Sequence, residues 1–302
     1  MRNGTAVTAE LLRGIPLPRL REDSDKDERG RVLVIAGSRE VPGGALLAGV
    51  AALRAGAGKL QIATAASIAP HLGLAVPEAL VVALPENSGG GIAPEAATLL
   101  VDRVQRCDAI LLGPGMMDEE AVRDLAASLL AVADGPAFVL DAAALINLVE
   151  IQDQLHRQGG RVVITPHAGE MAGLLGFNRA EVVTDPLGAA RKAAALTHAV
   201  VMLKGGSTHI VTPQGEAWSF TQGGVGLATS GSGDTLAGIV VGLLARGATP
   251  LQAALWAVYL HGEAGNRLAN AHGGVGFLAR ELLAEIPRLL ADLSVSDDTL
   301  SR

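Results

Sequence analysis

The sequence predicts one α/β domain, with a mostly parallel central sheet, helices on both faces and a late antiparallel hairpin. Three observations carry this reading. Short apolar runs rich in β-branched residues, such as RVLVIAG, recur along the chain and end in glycine or in a residue able to bear chemistry. Segments of helix-forming composition separate them, the order that makes a parallel sheet. Late in the chain, two short alternating runs flank Pro213-Gln214-Gly215, the pattern of a hairpin.

Taken in order, residues 1–30 are polar, with a charge run from Arg21 to Arg29, and read as an arm or cap. RVLVIAG (31–37) is the first buried strand. PGGALLAGVAALRAGAG then opens on Pro and Gly, continues with helix formers and stops at Gly56, a C′ residue. KLQIAT follows as a strand, completing a β-α-β unit with a right-handed crossover. AILLGPG and AFVLD are strands with a helical segment between them. RVVITPHAGEMAGLL is a strand to Thr165, then a helix with Pro166 at its start, and AVVMLKGG is a strand ending in Gly-Gly. One helix is expected from Asp234 to Arg246, closed by Gly247. A second is expected from the Thr249-Pro250 cap to about Ala264. The main domain spans 31–292, and 293–302 reads as a frayed tail.

Composition narrows the function classes. Net charge is −7 and aromatic residues make up 2% of the chain, which argues against a broad nucleic-acid surface or a base-stacking platform. The single cysteine, Cys107, excludes an internal disulfide. The N-terminus has no signal-peptide apolar region, and IVVGLLA is too short to span a bilayer. A soluble, cytoplasmic protein is expected. GAGKL lacks the Ser/Thr and the first glycine of a Walker A loop. No G-x-G-x-x-G follows a strand, and G-x-S-x-G, H-E-x-x-H and C-x-x-C are absent.

The motifs that remain sit at strand ends, where ligands of open α/β sheets bind. Gly231-Ser232-Gly233-Asp234 precedes an apolar run. Glycines at a helix start admit an anion to free N–H groups, and Asp234 is placed to take a proton from an attacking hydroxyl. The same residues also suit a plain turn with Asp234 as its N-cap. Lys204-Gly205-Gly206-Ser207-Thr208 suits a nucleotide phosphate or ribose, although taken alone it reads first as a Gly turn beside a solvated lysine. His167, in the first helical turn after Pro166, is expected to be neutral because the helix dipole opposes its charge. On its own it reads as a structural or surface residue. Gly113-Pro114-Gly115 and the small-residue helix after Gly37-Ser38 admit either a bulky ligand or close packing.

The order of the motifs is more specific than any one of them. RVLVIAGSREVPGGALLAGVAALRAGAG, ILLGPGM, VLDAAAL, VITPHAGEM, LKGGSTHIV and TSGSGDTLAGIVVGLLARG together resemble the ADP- or ATP-dependent NAD(P)H-hydrate dehydratase family, over about residues 8–290. The resemblance implies a ribokinase-like fold and a repair reaction. A nucleotide phosphorylates the C6 hydroxyl of the S epimer of hydrated NADH or NADPH, and phosphate is eliminated. It implies that Ala45, Gly115, His167 and Asp234 contact the hydrated cofactor. Lys204, Gly205, Gly206, Ser207, Thr208 and Gly233 would bind ADP or ATP. Asp234 would be the base, Gly231, Ser232 and Gly233 the anion hole, and Mg²⁺ would offset nucleotide charge without a directly assigned protein ligand. A homotetramer is implied, and a separate epimerase is expected to serve the R epimer. The lead-in segment DKDERGRVLV departs from the family's His-Lys-Gly-like run, so Lys26 receives no role. A small-molecule kinase on the same fold, acting on a hydroxymethylpyrimidine, a thiazole alcohol or a sugar, shares the GSGD logic and stays open. So does a non-catalytic nucleotide-binding protein.

Overall fold

The computed structural model describes residues 4–19 and 25–294, and its first strand lies inside the segment that reads as an arm. β1 (Thr5–Ala6) is a two-residue edge strand, followed by α1 (Ala9–Gly14) behind its Thr8 cap. The winding then starts with β2 (Arg31–Ile35), α2 (Gly43–Arg54), β3 (Lys59–Ala65), α3 (Ala69–Ala75) and β4 (Ala79–Leu84). α4 (Ala97–Gln105) returns the chain to β5 (Ala109–Leu112). α5 (Glu119–Val132), β6 (Ala137–Leu140), α6 (Gln152–Arg157) and β7 (Val162–Ile164) follow. α7 (Ala168–Leu175), α8 (Arg179–Thr184) and α9 (Pro186–Thr197) lead to β8 (Val200–Leu203). β9 (Thr208–Val211) and β10 (Ala217–Phe220) form the hairpin, and α10 (Ser232–Ala245), α11 (Pro250–His272) and α12 (Ala279–Ser294) complete the described chain.

The sheet has ten strands in the order β1-β10-β9-β8-β7-β6-β5-β2-β3-β4. Its body is parallel, and the antiparallel pairs are β8 with β9 and β9 with β10. The four residues of β5 are all buried, as are Val32 to Ile35 of β2, so these strands read as unbroken apolar runs. The chain winds from β2 toward β4, then returns to place β5 on the other side of β2. That reversal is the topological switch point, where a crevice opens beyond the strand ends.

The small residues of α2 pack against another helix. A Cβ on Gly238 of α10 would lie 2.3 Å from the Ala48 carbonyl oxygen of α2, and one on Gly242 would lie 2.4 Å from that of Ala52. The two backbones approach that closely because no side chain intervenes, and the contact sets the height of α10 above the sheet.

Several elements differ from expectation. α10 starts at Ser232, two residues early, because Gly231 takes the left-handed conformation (φ 85°) and its carbonyl accepts the first helical bond from the Thr235 N–H. Asp234 therefore stands inside the first turn and does not cap it. α11 starts as expected, with a Thr249–Gln252 capping box, but continues to His272. Gly262 and Gly265 do not stop it. They make room for Phe220 and Leu227, which a Cβ would meet at 2.1 and 2.7 Å. β4 and α12 were not anticipated. The tail beyond residue 294 lies outside the described residues. Among the described residues, no helix is long and apolar enough to cross a membrane.

Candidate active site

The strand ends from β2 to β8 carry, in spatial order, Gly37-Ser38, Gly113-Pro114-Gly115, Asp141, Thr165-Pro166-His167 and Lys204. Four strand spacings separate the first from the last, about 19 Å, which suits an extended ligand or two ligands end to end.

Lys204 is the hub. Its Nζ donates to Asp141 Oδ1 at 2.7 Å, and Thr165 Oγ1 donates to the same oxygen at 2.7 Å. Its backbone N–H donates to the Pro166 carbonyl at 2.8 Å, in a parallel bridge that extends the β7–β8 pairing to His167. A Cβ on Gly233 would lie 3.3 Å from Lys204 Nζ, so the ammonium sits directly beneath the start of α10. Burial lowers the Lys204 pKa, but Asp141, Glu170 and Asp234 outweigh it and hold the ammonium above its ordinary value.

Asp234, at the third position of α10, has a carboxyl group raised to about 6. Burial is the main cause, the negative charge of Asp141 adds to it, and Lys204 opposes it. No side chain among the described residues hydrogen-bonds this carboxylate. A carboxylate free of partners and tuned toward neutrality has the properties of a general base.

At the mouth of α10, the N–H groups of Gly233 and Asp234 stand one turn before the first helical acceptor and remain available. Ser232 differs from its two neighbours in the expected anion hole. Its N–H donates to the Thr229 carbonyl at 3.2 Å, and its Oγ is 2.9 Å from His261 Nε2, so both groups are occupied within the fold. Gly231 supplies the turn, and a Cβ there would strike Leu47 at 2.4 Å.

A cavity of about 750 Å³ opens beside this mouth, lined by His167, Lys204, Gly205, Gly206, Thr208 and Gly233 and backed by apolar residues. Ser207 faces the other way, into a neighbouring cavity of about 240 Å³. His167 is the N-cap of α7, which starts at Ala168, two residues later than Pro166 at N1 implies. Its Nδ1 accepts from the N–H groups of Gly169 and Glu170 at 2.9 and 3.1 Å, and Glu170 Oε2 accepts from the His167 N–H at 2.7 Å. With Nδ1 committed to the cap, Nε2, which lies 3.5 Å from Glu170 Oε1, is the edge left for a ligand. Ala45 and Gly115 lie apart from this cavity, at the switch point. Gly115 (φ 66°) packs under the Val41 carbonyl, where a Cβ would come within 2.4 Å. Ala45 is fully buried beside Gly37, so its side chain shapes the crevice floor from beneath.

A model of the NAD(P)H-hydrate dehydratase family matches residues 32–288. The chain belongs to the NAD(P)H-hydrate dehydratase family. Its relatives include the ADP-dependent (S)-NAD(P)H-hydrate dehydratase of Xanthomonas campestris, 48% identical over 94% of this chain and 95% of that protein. The bifunctional NAD(P)H-hydrate repair enzyme of Moorella thermoacetica is 38% identical over 99% of this chain, which spans only 56% of that protein. Among solved structures, the ADP/ATP-dependent NAD(P)H-hydrate dehydratase of Bacillus subtilis, co-crystallised with ATP and Mg²⁺, matches with a TM-score of 0.81. It is 31% identical, covering 97% of this chain and all of that one. A ribokinase-like superfamily protein of Enterococcus faecalis matches with a TM-score of 0.79 at 26% identity, covering 96% of both chains. The fold is ribokinase-like.

Two contacts of this site escape a reading of the sequence. Asp141 ends a strand and is visible as such, but its bond to Lys204 crosses 63 positions. His261 carries no local motif. Its only signal is a polar residue on an apolar helical face, between Leu260 and Gly262.

Proposed function

We propose that this chain restores NADH or NADPH from the S epimer of its hydrate, using ADP or ATP as phosphoryl donor. The observation that carries the reading is the placement of Asp234, a carboxylate held near pH 6 at the anion-receptive start of α10 and beside the Lys204 ammonium. Asp234 takes the proton of the C6 hydroxyl as its oxygen bonds to the terminal phosphorus. The P–O bond to the nucleotide breaks, and the nucleotide leaves one phosphate shorter. The C6–O bond then breaks with its electron pair on phosphate, the departing phosphate takes the proton from C5, and the C5–C6 double bond of the dihydronicotinamide returns.

The N–H groups of Gly233 and Asp234 and the Lys204 ammonium receive the transferring phosphoryl group. Lys204, Gly205, Gly206 and Thr208 hold the nucleotide. Gly115 and the crevice floor that Ala45 supports from beneath receive the hydrated ring, with His167 Nε2 donating to it. The described residues offer no group of three or more His, Cys, Asp or Glu able to cage a metal, and Asp141 is already paired with Lys204. Mg²⁺ fits as a companion of the nucleotide phosphates, whose charge it offsets.

The reading extends to a cytoplasmic homotetramer whose reaction is coupled to an epimerase activity, the link that the bifunctional repair enzyme of Moorella thermoacetica suggests. The small face of α2 is packed against α10, so subunit contacts use other surfaces. Residues 31–292 form the catalytic domain in this reading. The test is return of reduced-nicotinamide absorbance when the purified protein meets hydrated NADH with ADP or with ATP. No return with either donor, alongside phosphorylation of a vitamin-precursor alcohol, overturns the proposal in favour of a kinase.

A further inference from the structure

The reaction above makes no use of His261. This residue lies on α11, about nine-tenths buried, and lines the same cavity as Lys204 and Gly233. Its Nε2 is 3.0 Å from the Ser232 carbonyl oxygen and 2.9 Å from Ser232 Oγ. A carbonyl oxygen only accepts, so Nε2 carries the proton. Burial holds the ring neutral, with its pKa down at about 4. One proton on Nε2 leaves Nδ1 a bare acceptor, and no donor among the described residues meets it. Among the described residues the side-chain atoms buried without a partner are Thr64 Oγ1, Gln158 Oε1, Arg161 Nε, Thr212 Oγ1 and Arg246 Nε, so His261 Nδ1 opens onto the cavity, where a bound ligand can supply the donor.

The surroundings narrow the choice of donor. A nitrogen lone pair repels phosphate oxygens, so the phosphates are not its partner. They have Lys204 and the free N–H groups of α10. Val258 stands one turn back on the same face of α11, Leu236 one turn beyond Ser232 on α10, and both line the cavity with Phe220 and Leu227. Phe220 is pressed onto α11 at Gly262, directly after His261. The acceptor is thus set in an apolar wall beside the phosphate end, the setting of a base and not of a solvated sugar.

We propose that His261 is a specificity residue for the phosphoryl donor. Its Nδ1 accepts a hydrogen bond from the exocyclic amine of the purine and so selects adenine nucleotides over 6-oxopurine nucleotides. The inference rests on the proposed function for the presence of a nucleotide and adds the means by which its base is read. A site built around one hydrogen bond rejects a ligand lacking it, because the buried partner is left unpaired.

Equilibrium binding to the full chain tests this without any hydrated cofactor. The ligands are ADP, purine riboside 5′-diphosphate, which lacks the amine, IDP, and 2′-deoxy-ADP. ADP is expected to bind about tenfold tighter than purine riboside diphosphate. IDP is expected to bind more weakly still, and 2′-deoxy-ADP to match ADP. His261→Leu brings the ratio of ADP to purine riboside diphosphate toward one. Ser232→Ala, which keeps the carbonyl and the bare Nδ1, preserves it. Equal binding of ADP and purine riboside diphosphate by the wild type overturns the proposal, as does a loss that tracks the 2′-hydroxyl or a ratio unchanged in His261→Leu. If that variant does not fold, the wild-type series decides alone. Intact discrimination without turnover of hydrated NADH overturns the proposed function and leaves this assignment standing. No binding by any of the four overturns both.

Discussion

Lys204 Nζ lies 2.7 Å from Asp141 Oδ1, with the Asp141 side chain 2% exposed and that of Lys204 19% exposed. The pair joins the loop after β8 to the end of β6. Removing the ammonium leaves Asp141 a buried charge held by Thr165 alone. Lys204→Met should therefore destabilise the fold by about 3 kcal/mol, in the range for breaking a buried pair. The double variant Lys204→Met with Asp141→Asn removes the stranded charge and should recover most of that loss in denaturant unfolding. Nucleotide affinity, read by titration, should stay at least about tenfold down in both variants, since an ammonium on a phosphate makes a charge-assisted bond. Recovery of affinity in the double variant would mean that the ammonium only supports the fold.

Asp234→Asn tests the assigned base. Turnover of hydrated NADH should fall by about 10²–10⁴-fold, the usual worth of a positioned base. Nucleotide affinity should hold, because the amide keeps the size of the carboxyl group and leaves the backbone N–H in place. A variant with full turnover would move the base to another residue.

The same carboxyl group gives opposite pH dependences for rate and for stability. The base must be ionised, so kcat/KM should rise with pH through a midpoint near 6. For stability, the folded pKa is raised above the ordinary 3.8. The folded state then binds the proton more tightly than the unfolded chain, and stability falls as pH rises from about 4 to about 6. Above that window the penalty is complete, on the order of 1–3 kcal/mol after allowance for partial exposure. Asp234→Asn should accordingly raise Tm at pH 8 and leave it nearly unchanged at pH 4. His261 runs the other way. Its folded pKa is depressed to about 4, so its contribution is present above pH 6.5 and is lost as pH falls toward 4.

What the sequence makes legible follows from the range of each interaction. RVLVI and AILL announce central strands because both faces are covered and every position is apolar. Thr249 and Pro250 announce α11 because an N-cap and a proline at N1 act within one helical turn. β1 is not legible, since two residues cannot show an alternation and its register comes from pairing Thr5 with Trp218. The site divides in the same way. Lys204 and Asp234 stand in readable turns, whereas the Asp141 bond and the Ser232–His261 contact exist only once distant strands and helices are assembled. Ser232 shows the cost of reading locally: its place in a glycine turn suggests an anion donor, but its N–H and hydroxyl are committed to Thr229 and His261.

The α2–α10 contact links packing to catalysis. Gly238 is in mid-helix with ordinary helical geometry, so alanine there removes a poor helix former and, on propensity alone, should stabilise α10 by up to about 1 kcal/mol. Sterics oppose this. The new Cβ would lie 2.3 Å from the Ala48 carbonyl oxygen and 2.7 Å from Ala51 Cβ, and backbone atoms cannot rotate aside. The helices must part, which in a close-packed core costs about 1–3 kcal/mol, so Gly238→Ala should lower Tm despite the better propensity. Parting them also lifts the N-terminus of α10, with Gly233 and Asp234, away from Lys204. The rate should then fall further than the binding of nucleotide, because a displaced base and anion site affect the transition state most. Gly173 on α7 has open space around its would-be Cβ. Gly173→Ala is the control, expected to keep Tm and rate close to those of the wild type. A Gly238→Ala protein that melts at or above the wild-type temperature would show that the two helices can separate freely, and the coupling of this contact to the site would fall with it.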